Sequence, residues 1–141
     1  MRHFQLIDHF GTGSDSQLLS LTCASDPAQH VEISMRREGE HLVMSFSYNA
    51  LEIALRPRFN EFMRALTHMQ PVDGLNTTRQ IGTGNAYLAL GLHTDGSLIM
   101  RPTLVGDATG YITLNLKLTG QAYHHLMEWL GVPAPQLPNE G

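Results

Sequence analysis

Residues 111–131 read YITLNLKLTGQAYHHLMEWLG, and within this run the spacing of apolar side chains changes. Ile112, Leu114, Leu116 and Leu118 recur at every second position, the period of a strand with one buried face. From Tyr123 through Leu126 and Met127 to Leu130 the spacing becomes three and four, the period of a helix. Between the two lies Thr119, whose side-chain oxygen suits a helix N-cap, and Gly131 suits the left-handed stop at the other end. A strand that turns directly into a helix predicts an α+β chain in which sheet shelters the apolar helix stripe.

The same two periods recur upstream. Leu88, Leu90 and Leu92 alternate within Ala86 to His93, and Asp95-Gly96 separates them from Leu98-Ile99-Met100, which predicts a hairpin with a two-residue loop. Pro102 has no N–H to give to a ladder, so the strand from Ser97 to Val105 is expected at a sheet edge or broken by a bulge. Val31, Ile33 and Met35 precede Glu38-Gly39-Glu40, and Leu42, Met44, Phe46 and Tyr48 follow it, a second hairpin. Alternation resumes out of phase at Leu51, Ile53 and Leu55, which predicts a bulge at Tyr48-Asn49-Ala50 in one long strand. Pro57 suits a first helical position, and Phe59, Phe62, Met63, Leu66 and Met69 supply another helical stripe before Pro71.

The halves echo one another. Gly11-Thr12-Gly13 recurs as Gly82-Thr83-Gly84, each before alternating leucines, and Phe59, Phe62, Met63 and Leu66 match Tyr123, Leu126, Met127 and Leu130 in spacing. The expected fold is therefore antiparallel β-sheet with two amphipathic helices in a pseudo-duplicated order, strands then helix, twice. It is expected to form a single domain over residues 1–132, with possible halves 1–71 and 72–132, and a flexible proline-containing tail over 133–141.

At 141 residues, with 42% apolar and 16% charged residues, the chain can bury a core without disulfide or metal staples. No apolar run approaches a bilayer span. A lone Cys23 and an N-terminal stretch without an apolar leader point to a cytoplasmic protein. The formal charge of −4 repels phosphates at long range unless the basic groups, nearly all arginine, gather on one face.

No set of acid, base and nucleophile converges in this pattern, so no catalytic residue is assigned and an enzyme is not expected. His93 and Asp95 flank a turn while Arg101 lies down the partner strand. The eight histidines show no metal-ligand spacing; His124 and Glu128 share a helix face, but two ligands make no structural site, and neither a metal nor another cofactor is expected. Gly82-Thr83-Gly84 opens a strand and not the helix that a dinucleotide fingerprint requires. Cys23 reads as a small packed thiol.

Arg36, Arg37, Arg58, Arg79 and Arg101, with Tyr87 and Tyr111 on strands, are candidates for a single-stranded nucleic-acid surface of arginines and stacking rings. The competing reading has the arginines, Arg56 and Arg64 among them, lining a core edge and pairing with Glu52 and Glu61. His93, Tyr87 and Tyr111 are candidate polar groups of a small-ligand pocket between sheet and helices.

In element order, the doubled run of strands then helix resembles the Whirly and Pur single-strand-binding families, a resemblance that implies nucleic-acid binding. In size, acidity, mixed content and closing amphipathic helix, the chain resembles the small acidic chaperones of type III secretion, which implies a protein partner. The favoured expectation is a non-catalytic protein-binding module, adaptor or chaperone-like, with a homodimer as one arrangement, that pairs through an exposed edge near Pro102. Nucleic-acid binding and a ligand or enzymatic pocket are the alternatives.

Overall fold

The computed structural model describes residues 4–12, 17–26, 28 and 30–131, so the tail expected at 133–141 lies outside the described residues. The architecture is α+β, with two sheets and two helices. The chain opens with β1 (Gln5–Ile7), β2 (His9–Thr12), β3 (Leu18–Thr22), β4 (Val31–Glu38), β5 (His41–Tyr48) and β6 (Leu51–Leu55), followed by α1 (Phe59–Thr67). It continues with β7 (Arg79–Gly82), β8 (Ala86–Leu92), β9 (Leu98–Asp107), β10 (Gly110–Thr113) and β11 (Leu116–Leu118), and closes with α2 (Gly120–Leu130).

One sheet runs β2-β3-β4-β5-β6 in simple antiparallel order; the other runs β1-β11-β9-β8-β7, with β10 also on β9. The N-terminal run therefore belongs to both. Its first part pairs parallel with β11 and its second antiparallel with β3, and Asp8 holds the junction. The Asp8 N–H donates to the Thr22 carbonyl at 3.1 Å, and its Oδ1 accepts from the Ala24 N–H at 2.7 Å. The parallel β1–β11 pair, with the isolated parallel bridge between Val72 and His93, departs from the expected antiparallel pattern.

Both sheets and both helices contribute to one continuous core. Leu21, Ile33, Met35, Met44 and Phe46 share it with Leu88, Leu90, Met100 and Leu116, joined by Phe62 and Leu66 of α1 and Leu126 of α2. Each helix reaches across: α1 packs beside β7 of the other sheet, while α2 packs beside β2 and β3 as well as β11. Thr119 caps α2 as its sequence predicts, its side chain accepting from the Ala122 N–H at 3.2 Å, and Gly131 ends it at φ 82.

Three local expectations change. The phase slip at Asn49-Ala50 is not a bulge but a turn: β5 folds back on β6 with Tyr48 opposite Leu51, and Asn49 takes φ 55. In the hairpin between β8 and β9 the central residues are Thr94 and Asp95, while Gly96, at φ 91, follows them as the positive-φ residue of a longer loop. Helix α1 begins at Phe59, with Arg58 at its N-cap and Pro57 outside it.

The exposed edge expected near Pro102 is absent. Pro102 is buried inside β9, which has β8 on one side and β10 and β11 on the other. The register is the same on both sides of the gap between β10 and β11, Thr113 facing Thr103 and Leu116 facing Met100, so no residue is inserted. The missing N–H costs one return bond: the Leu114 N–H still donates to the Pro102 carbonyl at 3.2 Å. The next carbonyl, that of Asn115, accepts from the Gln5 N–H of β1 at 2.8 Å.

The face of β8 and β9 turned away from the main core is also covered. Ala89, Gly91 and Ile99 are buried there, because the segment after α1 folds over it. A Cβ on Gly91 would lie 1.9 Å from the Asn76 carbonyl oxygen and 2.9 Å from the Thr77 Cα. Both are backbone atoms with no side chain to swing away. Gly91→Ala is expected to destabilise the fold by about 3 kcal/mol, the upper end of overpacking costs, read as a lower urea midpoint; an unchanged midpoint would show that this segment does not rest on β8.

Candidate binding groove beside β7

The polar residues singled out from the sequence separate in space. At the hairpin, the Ser97 N–H (2.9 Å) and hydroxyl (2.5 Å) both donate to Asp95 Oδ1, and His93 Nδ1 lies 3.0 Å from the same oxygen. Lys117 Nζ stands 3.7 Å from the other oxygen, and the Thr94 hydroxyl donates to Asp73 at 3.3 Å. The Ser97 hydroxyl and N–H, and then His93, hold the Asp95 carboxyl far below the usual carboxylate range. Here the carboxylate lies between serine and imidazole, whereas activating a hydroxyl needs the imidazole in the middle. The cluster closes the turn and ties it to the segment over Gly91.

Arg101 sits apart from these, half-buried, its Nε donating to Asn115 Oδ1 at 2.6 Å. Arg36 is exposed in β4 opposite Leu18 and Val43. Arg37 stacks its guanidinium 3.9 Å over the Phe59 ring, and beside it the Arg58 backbone pairs with His41 in an isolated antiparallel bridge. Arg79 lies at the C-terminal end of α1. Tyr111 is 70% exposed on β10, while Tyr87 faces a cleft beside β7. The registers place Tyr87, Arg101 and Tyr111 on one face of β8, β9 and β10, Tyr87 opposite Thr103 and Tyr111 opposite Val105. Arg37 and Arg58 flank Phe59, and Arg36 and Arg79 lie elsewhere, so the candidate nucleic-acid residues divide among several surfaces. Nor do His93, Tyr87 and Tyr111 line a common pocket among the described residues.

His124 Nε2 lies 2.7 Å from Glu128, and the His125 ring stacks on Phe10 with centroids 3.4 Å apart. Cys23 is buried at the end of β3, near the Ser25 hydroxyl. Glu52 accepts from the Ser45 hydroxyl, and among the described residues no ion pair joins Arg56, Arg58 or Arg64 to Glu52 or Glu61. The arginine–glutamate pairing expected around α1 is absent there.

A surface not anticipated from the sequence lies between α1 and β7. Strand β7 ends its sheet, pairing with β8 on one side only. Because the Thr83 N–H bonds to the Ala86 carbonyl at 2.9 Å, antiparallel alternation turns the backbone groups of Gln80 and Gly82 outward. Opposite this edge run Glu61, Arg64, Ala65 and His68, one stripe of α1 at helical spacing, while Phe62 and Leu66 hold the other face in the core. The groove between them is about 420 Å³. Arg79 closes one end: its Nη2 donates to the His68 carbonyl at 3.1 Å, satisfying an orphan acceptor where the helix dipole is negative.

At Ile81 and Gly82 the groove meets a second cleft of about 260 Å³, bounded by Leu55, Arg56 and Pro57 at the end of β6 and by Tyr87 and Leu88 of β8. Its lining is mostly aliphatic. Gly82 is required at the junction, at φ 119, because a Cβ there would lie 2.5 Å from the Ala86 carbonyl oxygen. The chain thus presents an open strand edge with a helix along one side and an apolar cleft at one end. No protein-family model matches this chain, and no curated protein or solved structure matches it either. The groove is read from its own geometry.

Sequence reasoning passed over β7 because Arg79-Gln80-Ile81-Gly82 carries a single large apolar residue, too few for an alternation signal. The clue was Thr83-Gly84-Asn85 between it and β8, a turn-type cluster that implies a strand before as well as after.

The hairpin cluster sets a pH dependence. A carboxyl depressed in the folded chain contributes stability above its unfolded value of 3.8 that is lost as pH falls below it. Wild type should therefore lead Asp95→Asn in Tm at neutral pH, and the lead should shrink steadily on acidification below about pH 4. A constant lead down to pH 2 would show that the cluster does not hold the ionised form.

Proposed function

We propose that the protein is a non-catalytic binding module for another protein, and that it takes an extended segment of its partner along β7. The observation that carries this reading is the free β7 edge, with Gln80 and Gly82 turned toward a groove whose far wall is α1. Adding a strand to such an edge gains main-chain hydrogen bonds, and flanking pockets then select side chains. An added strand needs no acid, base or nucleophile.

Other features of the reading follow from the same frame. The order of five strands then a helix in each half, β2 to α1 and β7 to α2, supports a duplicated unit. A cytoplasmic setting fits the lone buried thiol. A homodimer would use a surface other than this groove, and exposed Tyr111 and Ile112 on β10 favour that hairpin. Nucleic-acid binding draws support from Tyr87, Arg101 and Tyr111 on one face of β8, β9 and β10, and from Arg56 beside Tyr87 in the apolar cleft. That cleft also suits a small apolar molecule, but it opens directly into the strand groove.

The test removes one donor from the edge. Gln80→Pro deletes an outward N–H that makes no bond to β8, and proline is tolerated on edge strands. Used as bait in cytosol from the native host, wild type should retain a protein partner that Gln80→Pro loses and that the exposed Arg36→Ala control keeps. The partner should also slow amide exchange at Gln80 and Gly82. Equal retention by Gln80→Pro, or retention of nucleic acid alone, overturns the reading.

A further inference from the structure

Resting on the reading of the groove as a strand-binding site, we propose that its ligand is an extended peptide in which aliphatic side chains alternate with carboxylates. Backbone geometry sets the first requirement. Gln80 and Gly82 offer their groups two residues apart, which matches the alternate outward groups of an extended chain and of no helix. Every second side chain of that peptide then points toward Ile81 and the aliphatic cleft bounded by Leu55, Pro57 and Leu88. A β-branched or leucine side chain is buried there on entry.

Charge sets the second requirement. Arg64 and Arg79 line the groove and Arg56 the cleft, against Glu61 alone, so the site is locally positive on a chain whose net charge is −4. Among the described residues, the side chains of Arg56 and Arg64 make no hydrogen bond or ion pair, and Glu52, the other acid nearby, already accepts from Ser45. Arg79 holds two carbonyls, those of His68 and Thr78, which are neutral and leave its charge uncompensated. Carboxylates on the outward-facing positions of the peptide meet these guanidiniums. Because Arg56 and Arg64 are exposed, the charges select and steer more than they add affinity.

An oligonucleotide is also anionic but has no main-chain amides to pair with β7 and no aliphatic groups for the cleft. The two are separated by titrating the full 15N-labelled chain with three probes: acetylated (Val-Glu)4, acetylated (Val-Lys)4 and a twelve-residue oligothymidylate. The expected result is saturable shifts of the Gln80, Ile81 and Gly82 amides and of α1 with (Val-Glu)4, at least about tenfold weaker binding of (Val-Lys)4, and weakening with salt. Arg56→Glu combined with Arg64→Glu, both at exposed positions, should reverse the preference while the rest of the spectrum stays in place. Equal binding of both peptides at these amides overturns the charge selection and leaves the strand groove standing. Absence of shifts at β7 with either peptide overturns both, and oligothymidylate binding there as tightly as (Val-Glu)4 overturns the peptide in favour of nucleic acid.

Discussion

A strand has backbone donors and acceptors on two sides, and a sheet that ends must leave one side to be satisfied by something else. At one margin the two sheets are linked by a single strand run, β1 against β11 and β2 against β3, each with one strand partner. At the other margin no shared run joins β6 and β7, which also have a single strand partner each. Helix α1 follows β6 and comes to rest beside β7, close enough to bury Phe62 and Leu66 but not to occupy the strand edge. The groove exists because a helix carries no backbone groups with which to finish a sheet.

That arrangement is held from both sides by burial. Phe62 is fully enclosed, and Leu66 nearly so; each side chain contributes roughly 1.5–3 kcal/mol relative to exposure, enough to fix the helix position against the loss of ordering entropy. Arg79 adds a directional constraint, since its guanidinium bridges the last turn of α1 to the first residues of β7. The width of the groove is thus set by packing below and by one arginine at its end. Walls positioned in this way are preorganised, which would lower the ordering cost for a segment that pairs along β7 as proposed.

The sequence made the regular parts legible and the margins illegible, for physical reasons. Alternation over Leu88 to Leu92 and over Val31 to Tyr48 marks strands with one face in the core, and helical spacing with Thr119 and Gly131 marks α2, because burial of one face imposes those periods. Pro102 misled because an edge is only one of two ways to do without an N–H. Here the interior strand keeps its place and gives up a single return bond, while its neighbour's next carbonyl serves β1. Asn49-Ala50 misled because a one-residue phase slip looks the same whether the chain bulges or reverses, and only the pairing of Tyr48 with Leu51 distinguishes them. β7 was invisible because a four-residue edge strand needs little apolar surface: one face of Ile81 suffices.

The composition of β7 also bears on what it does. An open edge with a long apolar run would pair with any exposed strand, including a second copy of itself, so edges are usually short, charged or bent. β7 is short, carries Arg79 and Gln80, and ends at Gly82 in a backbone conformation closed to other residues. These features oppose indiscriminate pairing without removing the free backbone groups. The flanking arginines act in the same direction, because a like-charged or bare apolar strand gains nothing from them while an acidic one does. Net charge would not reveal this, since several of the acidic residues that bring the chain to −4 are elsewhere, Glu38 and Asp107 at strand ends and Glu40 and Asp95 in turns, with neighbouring hydroxyls holding Asp95 and Asp107 ionised. The charge of the whole molecule and that of the groove thus have opposite signs, and the proposed selection rests on the groove alone.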